Sequence, residues 1–155
     1  MRNKLSLPLV LLLALPAWAG SRDEQWKKVE EAMSTGLPKT AVEALEPIIA
    51  GAMQDKAYAE AIKAIAKKIA LEGNVQGNKP EEKIVRMKAE IAEAPPEMAP
   101  VMEAILANWY WHYFQQNRWR FMRRTATAQA PSDDFTTWDL PRILAEIDKQ
   151  FTKAL

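Results

Sequence analysis

Several residue types that commonly form catalytic or ligand-binding sites are absent or rare in this sequence. Among 155 residues there is no cysteine, one histidine and only five glycines. The absence of cysteine excludes disulfides, thiolate nucleophiles and lipidation of a cysteine. Glycine-rich phosphate loops, nucleophile elbows and histidine–carboxylate zinc motifs are also missing. We therefore predict a protein that is not an enzyme, with no catalytic residue, no cofactor and no metal.

The single histidine, His112, lies among aromatic residues in a segment that we expect to form a buried helix. A lone histidine in such a place is typically a packing residue rather than a general base. Glu103 lies about two and a half helical turns away, so the spacing does not support a metal site within this helix. Carboxylate pairs such as Glu30-Glu31 are too common to indicate catalysis and are expected on solvated faces.

A long apolar run occurs only at the N-terminus. Arg2 and Lys4 form a basic region, Leu5 to Pro16 an apolar core, and Ala17-Trp18-Ala19 a small-x-small cleavage site. This pattern predicts a signal peptide at residues 1–19, with a core too short to span a membrane. We expect residues 20–155 to form a single helical domain that is exported, either to the periplasm or outside the cell.

The charge of the predicted mature chain is almost balanced. Loss of Arg2 and Lys4 leaves 19 basic and 20 acidic side chains, a net charge of −1. A nucleic-acid-binding domain normally has a clear basic excess. We therefore expect no nucleic acid partner.

Residues 98–124 contain most of the large side chains and organise the rest of the chain. Apolar spacing from Met98 predicts a helix, and if it holds to Arg124 it forms a rod of about 40 Å. The aromatic residues then advance about 100° per residue and surround the helix, so burial on several sides is expected. They are Trp109, Tyr110, Trp111, Tyr113 and Phe114. On this interpretation, replacing Trp109 or Trp119 with alanine threatens the whole fold.

The other helices are predicted from apolar periodicity and from turn residues. Gly36 ends a first helix, a second begins at Pro38, and Pro47 is expected to kink or break it near Leu45. A third helix ends at a loop over residues 73–78, and a fourth runs from Pro80 to the prolines at 95 and 96.

Residues 125–134 are predicted to form a surface loop, and a last helix begins near Asp139. Phe135 and Trp138 are expected to anchor that loop to the core. No segment shows strand alternation. The predicted fold class is all-α, with antiparallel helical hairpins in a tetratricopeptide-like stack of about five to six helices around the aromatic central helix.

Exposed aromatic and basic side chains are the candidates for an interface, because binding hot spots are enriched in tryptophan and arginine. The arginines also suit the negative end of a helix dipole, which is the favoured interpretation. A phosphate-binding and base-stacking surface with Trp119 and Phe121 is the alternative. The candidate interface residues are Trp26, Arg118, Arg120, Arg123, Arg124 and Trp138.

The aromatic run also carries a family resemblance. Residues 110–121 (YWHYFQQNRWRF), then Arg124-Thr125 and Thr137-Trp138-Asp139-Leu140, resemble the N-terminal helical region of large bacterial alpha-2-macroglobulin-like proteins. Gly36-Leu37-Pro38-Lys39-Thr40-Ala41 is similar to an earlier hairpin of the same region. The resemblance implies an exported protein of an endopeptidase-inhibitor family. It also implies that this chain is either a fragment of such a protein or a stand-alone copy of its helical leader.

The family is associated with protease trapping through a bait segment and, in many members, a thioester. This chain has no cysteine to form a thioester, so the covalent route is closed to it. We expect a non-enzymatic helical module that docks on a protein partner or on downstream macroglobulin-type domains. The alternative is a stand-alone periplasmic ligand-binding protein with a pocket around His112, Trp111 and Arg118.

Overall fold

The computed structural model describes residues 19–77, 79–124 and 132–155. This part of the chain is helical and contains no β-strand, which confirms the all-α fold class. The α-helices are α1 (Ala19–Ser34), α2 (Pro38–Gln54), α3 (Tyr58–Val75), α4 (Pro80–Glu93), α5 (Ala99–Gln116), α6 (Arg118–Met122) and α7 (Leu140–Lys153). A 3₁₀ helix, Phe135–Thr137, precedes α7. The tetratricopeptide-like arrangement stays a prediction. Residues 1–18 of the predicted signal peptide and 125–131 of the predicted loop lie outside the described residues.

Contacts between helix ends show that neighbouring helices run in opposite directions. Arg22, near the start of α1, packs against Gly51 in the last turn of α2. Lys83, near the start of α4, covers Gly73 near the end of α3. Lys153 at the end of α7 donates to Glu103 near the start of α5, at 3.1 Å. The chain therefore folds as consecutive antiparallel hairpins. None of the described helices has the length and apolarity to cross a bilayer.

The turns that end α1 and α2 share one backbone geometry. Gly36 and Lys56 each adopt a positive φ, of 71° and 56°. In both turns the N–H of the following residue donates back to the helix at 2.8 Å, which is the hydrogen bond of a Schellman cap. Glycine tolerates this conformation and lysine does not favour it. The second turn is therefore strained where the first is not.

The core is formed in two parts. The smaller lies among α1, α2 and α3, and the larger extends from α2 and α3 to α7. Phe135 lies at the centre of the larger part, with its ring centroid 5.3 Å from that of Tyr110 and 5.1 Å from that of Tyr113. Phe135 and Trp138 are both buried. The prediction that these two residues anchor the segment before α7 is confirmed.

The central helix is shorter than predicted. Helix α5 ends at Gln116, because Asn117 leaves the helical conformation and its Nδ2 donates to the Tyr113 carbonyl at 2.9 Å. Asparagine side chains compete with the backbone in this way, which is why they favour helix ends. The short helix α6 then begins at Arg118. The prediction of one rod from residue 98 to 124 is wrong.

Two other helix boundaries differ from expectation. Helix α2 runs through Pro47 without a break, so the predicted break near Leu45 is wrong, while the kink, the other expectation, stays a prediction. Its Leu45 and Ile48 are fully buried against neighbouring helices, and this packing outweighs the hydrogen bond that proline removes. Helix α3 continues through Gly73 to Val75. The Lys83 stem lies 3.0 Å from where a Cβ on Gly73 would be, so the contact with α4 supports the extra turn.

Candidate functional site

The end of the aromatic segment places a large apolar side chain in solvent. Phe121 of α6 is fully buried, in contact with the rings of Tyr113 and Phe114. Trp119 and Arg123 lie two residues to either side of Phe121, roughly 200° around the helix axis, so they point away from the core. Trp119 is 77% exposed. The prediction that Trp119 is a core residue is wrong.

Basic side chains surround Trp119 on α6. Arg118, Arg120 and Arg123 are all exposed, and Met122 is 51% exposed. None of these three arginines forms an ion pair with a described residue. We refer to Arg118, Trp119, Arg120, Met122 and Arg123 as the Trp119 surface.

Arg124 differs from the other three arginines of the segment. Its guanidinium donates to the Trp138 carbonyl at 2.7 Å and lies 5.7 Å from the centroid of the Phe121 ring. It therefore ties α6 to the segment before α7. Of the four arginines predicted at an interface, Arg124 has a structural role inside the fold.

The two tryptophans predicted as exposed anchors are engaged within the chain. Trp138 is only 4% exposed, and its indole N–H donates to the Ser132 carbonyl at 2.6 Å. Trp26 is half-buried, donates to Glu60 at 2.8 Å and lies under the Lys63 ammonium, 4.3 Å from the ring centroid. The expectation of an exposed Trp138 is wrong, because its ring completes the core beside Phe135. Trp26 packs on α3 rather than beside α6.

The aromatic residues of α5 do not all face the core. Tyr110, Tyr113 and Phe114 are buried, whereas Trp109 is half-buried and Trp111 is 40% exposed. Helix α5 packs on α4 and α7 on one side only, which leaves its other side in water. The prediction of burial all round the helix is therefore wrong.

His112 lies on that solvent side and is exposed, so the expectation of a buried packing histidine is wrong. It borders a shallow cavity of about 290 Å³ between α4 and α5. The lining residues are Pro80, Lys83, Asn108, Trp109, His112, Tyr113 and Gln116. Neither Trp111 nor Arg118 is among them, so the pocket predicted from all three residues does not form.

A buried polar cluster that the sequence did not suggest lies between α5 and α7. Glu103, Glu146 and Gln150 are all buried there, and Gln150 donates to Glu146. Tyr110 has a buried hydroxyl with no partner among the described residues. Burial, and then the charges of Glu146 and Glu103, raise the pKa of Tyr110 well above its ordinary value of 10. The signal in the sequence was polar residues at 146 and 150, three and seven positions after the core residue Ile143.

This cluster does not have the composition of a metal centre or an active site. In the described ranges no three histidine, aspartate or glutamate side chains come together as a metal site would require. Lys149 and Lys153 already pair with the two buried carboxylates, at 3.3 and 3.1 Å. The cluster joins α7 to α5 through the Lys153–Glu103 pair.

A groove with a volume of about 590 Å³ lies elsewhere, between α1 and α2. Its lining residues are Lys28, Glu31, Ala32, Thr35, Leu37, Thr40, Glu43 and Ala44. The groove follows from the turn at Gly36, which separates the ends of the two helices. It contains none of the residues predicted to form an interface or a ligand pocket.

Comparisons of the chain with family models, curated proteins and solved structures found no match. The resemblance to alpha-2-macroglobulin-like proteins therefore stays a prediction that rests on the quoted residues alone.

Proposed function

We propose that this protein is an exported, non-enzymatic helical module that binds another protein domain through the Trp119 surface. The observation that carries the proposal is the 77% exposure of Trp119 in a helix whose opposite side is anchored in the core by Phe121. A tryptophan held on a fixed helix can insert into a partner with little loss of conformational entropy.

The composition of the surface supports binding rather than solvation. Tryptophan and arginine are the residues most enriched among binding hot spots, and alanine substitution of such residues typically costs about 2 kcal/mol or more. Other tryptophans with described side chains have partners inside the chain, as Trp26 and Trp138 do. Trp119 is more exposed than any other tryptophan with a described side chain, the next being Trp111 at 40%, and a docked partner is the simplest reason to keep it there.

Two features of the sequence support the cellular setting of the proposal. The N-terminal pattern of residues 1–19 supports export to the periplasm or to the medium. The resemblance of residues 110–121 supports docking on a protein partner or on macroglobulin-type domains of an endopeptidase-inhibitor protein. The sequence supplies no recognisable catalytic motif, which supports a binding role.

The proposal is tested by quantitative affinity isolation from the native organism. Tagged wild-type protein is compared with Trp119→Ala and with Val85→Ala, a matched loss of an exposed apolar side chain on α4 that is 59% exposed. We expect a protein that the wild type and the Val85 variant retain equally and that the Trp119 variant loses by at least about tenfold, the effect of about 1.4 kcal/mol. Equal recovery with all three proteins would refute a docking role for Trp119.

The cavity beside His112 supports a second candidate, a carrier of a small ligand. Its volume of about 290 Å³ is at the lower end of the range of about 300–1,000 Å³ for ligand pockets, and its histidine is exposed. This candidate predicts that a bound small molecule copurifies with the wild type and is lost in His112→Ala. If native mass spectrometry of the purified protein shows no such adduct, this candidate is excluded.

A further inference from the structure

We infer that the partner of the Trp119 surface is an acidic protein segment. Its carboxylates would pair with the arginines of the surface, and an apolar side chain between those carboxylates would pack on Trp119. This inference rests on the proposed function and adds the chemistry of the partner. It follows from the charge of the surface, from the arrangement of its side chains and from the charge of the neighbouring residues.

The charge of the surface is not neutralised by ion pairs within the described chain. Arg118, Arg120 and Arg123 are exposed and make no ion pair there. By contrast, Arg22 contacts Asp55 and Glu60, and Arg86 contacts Glu72 and Glu82. Arginine presents a planar fork of donors that fits a carboxylate with two parallel hydrogen bonds. Three such forks on one short helix are complementary to a cluster of acidic side chains.

The arrangement of the surface favours a protein over a membrane. Met122 and Arg123, three and four positions after Trp119, are its neighbours on the helix face, and Arg118 and Arg120 flank it. An interfacial membrane helix needs an apolar face separated from a basic face. Here arginines at 118, 120 and 123 alternate along the chain with exposed Trp119 and Met122, so charged and apolar side chains are mixed, as in a protein hot spot with a polar rim.

The surroundings of the surface favour carboxylates over the phosphates of a nucleic acid. Asp133 and Asp134 are exposed. Hydrogen bonds from Thr136 lower the pKa of Asp134, and the nearby charge of Arg120 lowers it further. These two acids repel any anion that lies beside them, so the surface suits a short acidic segment that ends at the arginines better than a continuous phosphate backbone that runs past it. The whole chain has a formal net charge of only +1, which gives a polyanion little general attraction.

The experiment selects ligands from a phage-displayed library of random peptides. Full-length wild-type protein is the bait, and the selected peptides are synthesised and their affinities measured by fluorescence anisotropy. The same peptides are tested on Trp119→Ala and on the triple variant R118Q/R120Q/R123Q. The matched control is K27Q/K28Q/K39Q, which removes the same charge from three exposed lysines of α1 and α2. Circular dichroism confirms that each variant is folded.

We expect selected peptides with aspartate or glutamate on both sides of an apolar residue. Their affinity should fall at least about tenfold in Trp119→Ala and in the triple arginine variant, and less than about twofold in the lysine control. Selected peptides without acidic residues, affinities that the arginine variant leaves unchanged, or no selected peptide at all would each overturn the inference.

Two further probes test the other classes of partner. Single-stranded oligothymidine and vesicles of anionic phosphatidylglycerol are titrated under the same conditions. If either probe binds the wild type and the lysine control but not the triple arginine variant, the inference is overturned in favour of a phosphate ligand. If affinity isolation yields a Trp119-dependent protein while the selected peptides are not acidic, only the inferred chemistry fails and the proposed function stands. If that isolation yields none, the proposed function fails whatever the peptides show.

Discussion

Replacing Trp119 with alanine should hardly affect folding, whereas replacing Phe121, two residues later, should be severe. Trp119 is 77% exposed, so the fold covers about 60 Å² of a side chain with about 250 Å² of surface. At about 25 cal/mol per Å², the loss of that contact costs at most about 1.5 kcal/mol. Phe121 is fully buried, and truncation of a buried phenylalanine costs about 3–5 kcal/mol.

Both variants are measured by urea unfolding at pH 7, with circular dichroism as the signal. A change of 1 kcal/mol corresponds to about 2–4 °C in melting temperature for a chain of this size, so thermal melts give a second estimate. We expect Trp119→Ala within about 5 °C of the wild type and Phe121→Ala lower by about 6 °C or more. A Trp119 variant as unstable as the Phe121 variant would show that α6 packs with its tryptophan inward and would refute the proposed surface.

Three further predictions concern stability. Because the pKa of Tyr110 is raised in the folded state, the protein keeps its stability below pH 10 and loses stability as the pH rises above that value. Tyr110→Phe should therefore lose less stability than the wild type when urea unfolding is measured between about pH 9 and 11.5. Equal losses in the two proteins would refute this prediction. Since Gly36 and Lys56 both have positive φ, Gly36→Ala should destabilise the protein by about 1 kcal/mol and Lys56→Gly should stabilise it by up to about 1 kcal/mol. A higher melting temperature for Gly36→Ala than for Lys56→Gly would contradict the shared cap. Lys153→Met leaves the buried carboxylate of Glu103 without its partner at 3.1 Å and should lower the free energy of unfolding by about 1–2 kcal/mol. If the effects of Lys153→Met and Glu103→Gln are additive in a double-mutant cycle, the pair contributes nothing to stability.

The elements that the sequence predicts correctly are those whose local signals agree with their packing. Helix α7 begins after Asp139, whose carboxylate accepts from the Arg142 N–H at 3.0 Å, as expected of an N-cap. Its Ile143 and Ile147 are buried at helical spacing. Phe135 has a large apolar side chain, so its residue type alone predicts burial in the core.

The exposure of Trp119 depends on which face of α5 is buried, and the sequence did not reveal that face because aromatic residues occur on all sides of the helix. A single residue outside the helical conformation, Asn117 with φ of −109° and ψ of 15°, separates α5 from α6. Trp119 is nine residues after Tyr110, about 180° around a regular helix, so it lies opposite the buried side of α5. The sequence-based interpretation expected burial on all sides of the aromatic segment and therefore could not separate the two faces. The difference in helix propensity between asparagine and its neighbours is less than about 1 kcal/mol, too small to reveal the break.

The buried carboxylates could not be predicted for a different reason. Glu103 and Glu146 are at buried positions because charged or amide partners lie beside them. Lys153 is 50 positions from Glu103 in the chain, and such a pairing becomes visible only when α5 and α7 are brought together. Apolar Leu144 and Phe151 are instead 40% and 46% exposed, so the face of α7 that packs is not its most apolar one.

The measurement that tests the docking role most directly is site-specific photocrosslinking in the native organism. A photoreactive amino acid replaces Trp119 in one strain and Leu144, 40% exposed on α7, in another. We predict a discrete protein adduct at position 119, on another chain or on a distant domain of the same polypeptide, that is weak or missing at position 144 and is lost with R118Q/R120Q/R123Q. No adduct at position 119, or the same adducts at both positions, would contradict the claim that the Trp119 surface is a docking site.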